Sequence, residues 1–290
     1  MPTLLKRCVP ESLAHSTPAA WLVNKFYDIA NPGLERVIFT ATTGRSGTYT
    51  LAELFKAVPA AKFYHEPYPV LNGEWLYKAS HGQQAEVDDY YRKMKSVYIR
   101  RGAVGAKYYL EANHLFLKTF IGPAIEDFKD RLVIVHLVRP AIEVAMSIYR
   151  IRNWPGTADG NKWWLDYRAP ENIIQIADVL DANPEFSHPF YKALWYWYET
   201  EARVAFWKNK APRVKFCQFE TAWFNDVNKV VALMNDLGVA YDYPALLGKV
   251  GTRENDIQKK KGQEGLSWEI AQEMTARFEA LLQDKKCFEP

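Results

Sequence analysis

Residues 37–55, VIFTATTGRSGTYTLAELF, constrain the fold of this chain more than any other stretch. They begin as an apolar β-branched run, break at a turn of small residues, and resume with the 3.6-residue periodicity of a helix. A strand that feeds a short glycine-containing loop into a helix leaves several backbone N–H groups unpaired at one point, where the positive end of the helix dipole also lies. Such a unit predicts an α/β protein with an anion site at the loop. Four more apolar runs, AKFYH, AVGAKYYL, RLVIVHLV and RVKFCQF, alternate with helical patterns such as QAEVDDYYRKMKSVYIRR. That alternation predicts a central parallel sheet of about five strands with helices on both faces, three layers in all. RLVIVHLV, the most continuous apolar run, is expected to be a central strand.

The residues around the loop narrow the choice of anion. A nucleoside triphosphatase would carry G-x-x-x-x-G-K-S/T, with the lysine on the outer phosphates. Here the loop reads TTGRSGTY, with no lysine after Gly47 and with Arg45 inside it. The strand RLVIVHLV would end in a metal-binding aspartate in such an enzyme. It runs instead into Arg139, whose guanidinium is shaped for a bidentate grip on a second phosphate. The expected ligand therefore carries two separated anionic groups and no Mg²⁺, and no metal site is expected.

At these residues the chain resembles the sulfotransferases that use 3'-phosphoadenosine 5'-phosphosulfate. TTGRSGTYTLAELF is similar to their 5'-phosphosulfate loop, and VRPAIEVAMSIYR to their 3'-phosphate motif of an arginine followed eight residues later by a serine. The resemblance implies a P-loop-like fold and the phosphosulfate as sulfate donor. It implies Thr43, Gly44, Arg45, Ser46, Gly47, Thr48 and Tyr49 on the phosphosulfate, and Arg139 with Ser147 on the 3'-phosphate. Many family members have Thr-Thr where this chain has Thr48-Tyr49. KKKGQEGLSW is similar to the element with which cytosolic members close over the nucleotide, giving Lys260, Lys261 and Gly262, with a spacing to Trp268 longer by one. The matches run from about residue 36 to 268.

Sulfuryl transfer requires a base on the acceptor and donors on the leaving oxygen. Arg45 and the loop amides supply the donors. The second strand ends in FYHEPYP, and in several branches of the family a glutamate at this place is the base, which implies Glu66. His65, with an intrinsic pKa near neutrality, is the alternative. The third strand, expected to stop around Leu110, would bring Lys107, Glu111 and His114 to the same edge, with Lys107 and His114 as acceptor ligands and His114 as a further candidate base. The same segment also reads as a helix start capped by Asn113. A kinase-like phosphotransferase using ATP and Mg²⁺ is the other reading of the loop.

The chain of 290 residues is expected to form a single domain, with residues 151–190 inserted as a lid on the acceptor side. That insertion holds Trp163 and Asp166, the expected acceptor contacts, and six acids against three bases. Aromatic faces beside carboxylates favour a neutral or cationic small-molecule acceptor over a polyanion. The chain's net charge of +3 is too small for a nucleic-acid binder. No stretch approaches a membrane span, and Cys8, Cys217 and Cys287 form no C-x-x-C pair, so a cytoplasmic protein is expected. The oligomeric state is not legible.

Overall fold

The computed structural model describes residues 17–251 and 266–286. In chain order the elements are α1 (Thr17–Ala30), β1 (Arg36–Ala41), α2 (Thr48–Leu54), β2 (Ala61–His65), α3 (Glu74–Ser80), α4 (Gln84–Tyr90), α5 (Ser96–Ala103), β3 (Tyr108–Ala112), α6 (Phe116–Thr119), α7 (Ile121–Phe128), β4 (Leu132–Val138), α8 (Ala141–Arg150), α9 (Ala177–Ala182), α10 (Pro189–Lys210), β5 (Lys215–Glu220), α11 (Val227–Leu237), α12 (Tyr243–Leu247) and α13 (Trp268–Asp284). The five strands form one sheet in the order β2-β3-β1-β4-β5, every pair parallel.

Side chains alternate across each strand, so both faces of this sheet need cover. Val37, Phe39, Leu132 and Ile134 point into one core with Phe116, Phe120 and Phe128 of α6 and α7. Ile38, Val133, Val135 and Leu137 point into the other, against Leu51 and Leu54 of α2 and Leu233 and Met234 of α11. This is the expected three-layer α/β arrangement. The middle strand is β1 rather than β4; β4 is interior, between β1 and β5. Its long apolar run reflects burial on both faces, which interior strands share, and does not mark the centre.

Residues 151–190 contain one 3₁₀ turn, Gly160–Lys162, and α9. Trp164, Leu165, Tyr167, Ile174 and Leu180 of this segment join a third core with α8, α10 and α13. It is packed as a wall of the molecule. α13 begins at the expected cap: the Ser267 hydroxyl accepts from the Ile270 amide at 3.3 Å. Among the described residues no helix is long and apolar enough to cross a membrane.

The connections from β1 lead to one side of the sheet and those into β4 to the other, so the C-terminal end of β1 is a crevice where open α/β sheets collect ligands. Residues following β1, β2, β3, β4 and β5 all reach that edge.

Candidate active site

Gly44, Arg45 and Gly47 all have positive φ, at 81°, 57° and 79°. Three left-handed residues in four turn successive backbone N–H groups to one side, forming an anion nest. Among the described residues nothing accepts from the amides of Gly44, Arg45, Ser46, Gly47 or Thr48; the first helical acceptor is Gly47 O, which takes the Leu51 amide at 3.0 Å. The loop is anchored on β4 by Thr42 Oγ1, which donates to Leu137 O at 2.8 Å, and is closed by Thr43 Oγ1 and Ser46 Oγ, 2.9 Å apart. A Cβ on Gly47 would stand 2.9 Å from Phe224 Cε2, and one on Gly44 would stand 3.1 Å from His114 Cγ and 3.3 Å from Trp164 Cζ3. Both glycines are therefore set by conformation and by close approach.

A second cationic group flanks the nest. Arg45 Nε donates to Ser147 Oγ at 3.1 Å, on the helix that Arg139 precedes. Arg139 Nη1 donates to Arg45 O at 2.8 Å, and its Nε to Glu143 Oε2 at 2.9 Å. Among the described residues no carboxylate pairs with Arg45, whose pKa is lowered by burial and then by the charge of Arg139. Arg45, about a hundred residues from Arg139 and Ser147 in sequence, thus shares one wall with both. Lys260, Lys261 and Gly262 lie outside the described residues.

His65, at the end of β2, is drawn toward the loop. Its Nε2 is 3.0 Å from Thr48 Oγ1, and its ring stacks on Tyr49 at 4.1 Å between centroids. Burial holds its pKa below the ordinary value. Glu66 follows with φ at 44°, its amide donating to Ala112 O at 3.2 Å. That strained backbone is secured by Lys95, which donates to Pro67 O at 3.0 Å and pairs with buried Glu111 at 2.7 Å. Burial raises the Glu66 pKa; Lys118 opposes the rise and Glu111 adds to it.

Glu66 Oε1 lies 3.4 Å from His114 Nε2. His114 Nδ1 is 2.8 Å from Lys118 Nζ, Lys118 also donates to the Tyr196 hydroxyl, and Tyr196 donates to Thr43 O at 2.6 Å. A continuous polar chain thus runs from Glu66 back to the loop. The Trp164 ring lies 5.3 Å and the Trp163 ring 6.3 Å from His114. Asp166 faces its own segment, accepting from Asn161 Nδ2 at 2.6 Å and the Arg168 amide at 3.0 Å. Two residues past Glu66, Tyr68 forms part of a cleft of about 570 Å³ with Trp75, Tyr90 and Met94.

Two expectations for the third strand are corrected. The strand spans Tyr108–Ala112, so Glu111 is an interior strand residue buried with Lys95, Tyr109 and Asn113. Lys107 stands before the strand, at the opposite, N-terminal edge, paired with Glu35 at 3.2 Å. The apolar run AVGAKYYL gave the strand but not its start, which falls five residues later, at Tyr108, and leaves Lys107 just outside the N-terminal edge. Lys118 and Tyr196 were not foreseen; the i, i+4 spacing of His114 and Lys118 was the signal for the first. Among the described residues no group of three or more His, Cys, Asp or Glu side chains is arranged to hold a metal ion.

Fold and site together define a three-layer α/β protein with a parallel five-stranded sheet, whose glycine loop, two arginines and half-buried Glu66 carboxylate meet at one sheet edge. No protein-family model matches the chain, and no curated protein matches it in sequence. Among solved structures it is similar to the sulfotransferase domain of the Synechococcus PCC 7002 olefin synthase, at 15% identity over 88% of this chain and 95% of that one, with a TM-score of 0.45. It is also similar to a sulfotransferase from Alicyclobacillus acidocaldarius, at 18% identity over 85% of this chain and 92% of that one, with a TM-score of 0.44.

Proposed function

We propose that the protein is a cytoplasmic sulfotransferase that moves the sulfuryl group of 3'-phosphoadenosine 5'-phosphosulfate to a hydroxyl or amine of a small acceptor. The observation that carries this reading is the joining of Arg45 and Arg139 beside the nest, through Ser147 Oγ and Arg45 O. Two guanidinium groups repel, and burying them together is favourable when an anion sits between or against them. The nest with Arg45 suits one phosphate and Arg139 with Ser147 suits another, which is the charge pattern of a 3',5'-bisphosphate nucleotide. β4 leads into Arg139 where a Mg²⁺-dependent kinase would need a carboxylate.

In the reaction an acceptor oxygen or nitrogen forms a bond to sulfur as the bond from sulfur to the bridging oxygen breaks. The acceptor's proton passes to Glu66, and the leaving 5'-phosphate keeps the bond pair. Nest amides and Arg45 offset the charge that develops there. Thr48 and His65, held 3.0 Å apart beside the nest, are placed to orient the group in transfer. Residues 151–190 serve as a fixed wall through Trp163 and Trp164, and the aromatic cleft past Tyr68 takes the rest of a neutral or cationic acceptor. The test is transfer of ³⁵S from the labelled phosphosulfate to a panel of small acceptors in the presence of a chelator. Absence of transfer, together with stabilisation by ATP and Mg²⁺ but not by adenosine 3',5'-bisphosphate, would overturn the reading.

A further inference from the structure

Lys118 is only 3% exposed, on the short helix after His114. Among the described residues no carboxylate forms an ion pair with it, and burial holds its pKa well below that of a free lysine. A buried amine is costly to desolvate, and a methionine or leucine would fill the same volume without that penalty. Packing of α6 therefore does not account for it.

The hydrogen-bond directions account for it better. The Tyr196 hydroxyl gives its proton to Thr43 O at 2.6 Å, so its oxygen is left to accept, and Lys118 donates to it. Lys118 Nζ has further hydrogens in either charge state, and His114 Nδ1 lies 2.8 Å away. With Nδ1 accepting, the imidazole, neutral through burial, carries its hydrogen on Nε2, the atom 3.4 Å from Glu66 Oε1. We infer that Lys118 is a positioning residue: it fixes the His114 tautomer so that Nε2–H faces the Glu66 carboxylate, and through Tyr196 it ties that arrangement to the carbonyl of Thr43 in the anion loop. This rests on the reading of Glu66 as the base.

The groups that bear on this chain come from every element around it. His65 adjoins Glu66 on the β2 end, Glu111 with Lys95 lies below on β3 and the α4–α5 helical run, and Tyr196 and Arg203 face Lys118 from α10. Among the described residues none of them hydrogen-bonds His114 Nδ1, so Lys118 is the partner that acts on that nitrogen, while the Glu66 carboxylate faces Nε2.

Imidazole ¹⁵N chemical shifts of the histidines, assigned with a His114→Gln variant, read the tautomer without any substrate. The expected result is the Nε2–H form in the native protein, a shift toward Nδ1–H in Lys118→Met, and retention of Nε2–H in Lys118→Gln, which keeps a donor. In turnover, the acid limb of kcat/KM should move up by about one pH unit in the Met variant, since losing a donor and a nearby cation raises a carboxylate pKa. Stabilisation by adenosine 3',5'-bisphosphate should persist in both variants and serves as the control for folding. A native Nδ1–H form, or a Met variant with unchanged tautomer, overturns the inference. Full turnover in Glu66→Gln, with the tautomer result intact, overturns the base assignment instead.

Discussion

Arg139 Nη1 donates to the carbonyl oxygen of Arg45 at 2.8 Å, so the residue after β4 fixes the backbone of a loop that follows β1. The donor grip and the loop shape therefore depend on the same side chain. Arg139→Ala should weaken adenosine 3',5'-bisphosphate by roughly 1.5 to 3 kcal/mol for each charge-assisted bond lost, about 10- to 150-fold in Kd. ADP should be affected much less. Calorimetric titration of both ligands checks this, and equal losses for the two would remove the 3'-phosphate from the arginine pair.

Gly47→Ala should impair both stability and donor binding. A left-handed alanine costs roughly 1 to 2 kcal/mol, and the added methyl would press on Phe224 Cε2 at 2.9 Å. Chemical denaturation should report a loss at least that large. An unchanged midpoint would mean the loop relaxes without strain.

Glu66→Gln should lower turnover by about 10² to 10⁴ while leaving donor binding intact, the usual share of a positioned base. The pH dependence has a definite sign. Burial raises the folded-state pKa of Glu66 above 4.5, so the protonated form favours folding, and that contribution is lost as pH rises through the raised value. Above that raised value the wild type carries a partly desolvated carboxylate charge that the Gln variant lacks. The variant should therefore have the higher Tm at pH 7 and lose that advantage at acid pH. A variant less stable at pH 7 would contradict the sign.

Trp163→Ala and Tyr68→Ala should each raise the acceptor KM and leave the donor Kd unchanged. Tyr68 is 63% exposed, so its loss disturbs little packing. An aromatic contact is worth roughly 0.5 to 1.5 kcal/mol, about 2- to 12-fold. Asp166→Asn should act differently, lowering stability with little change in KM, because its carboxylate holds Asn161 and Arg168 of its own segment. Acceptor titrations at saturating donor separate these outcomes.

The sheet and the anion loop were legible because both leave strong local marks. Alternating strand and helix periods gave all five strands, and TTGRSG marked the turn between the first strand and its helix. Arg139 and Ser147 were singled out by resemblance to a family motif, and the structure brings both into contact with Arg45. Lys107 was misplaced because β-branched and aromatic runs blur strand starts, and one strand length separates the two edges. Lys118 and Tyr196 were hidden for another reason. Their roles arise from α6 meeting α10, 78 residues apart, and no pattern within either helix records that contact. The approach of the Trp164 indole to Gly44 was likewise invisible in the sequence.

Gly44 is held between His114 and Trp164, and Thr43 O is held by Tyr196, so the loop and the acceptor-side groups share atoms in contact. An occupant of one side that shifts the loop by a few tenths of an ångström alters the other. Thermodynamic reciprocity then requires that whatever factor adenosine 3',5'-bisphosphate imposes on acceptor Kd, the acceptor imposes on the nucleotide. The expected result is mutual tightening, which limits futile loss of the activated sulfate to water when no acceptor is present. Paired titrations, each ligand with and without the other, would show the same ratio in both directions, and a ratio of one would mean the two sides are independent.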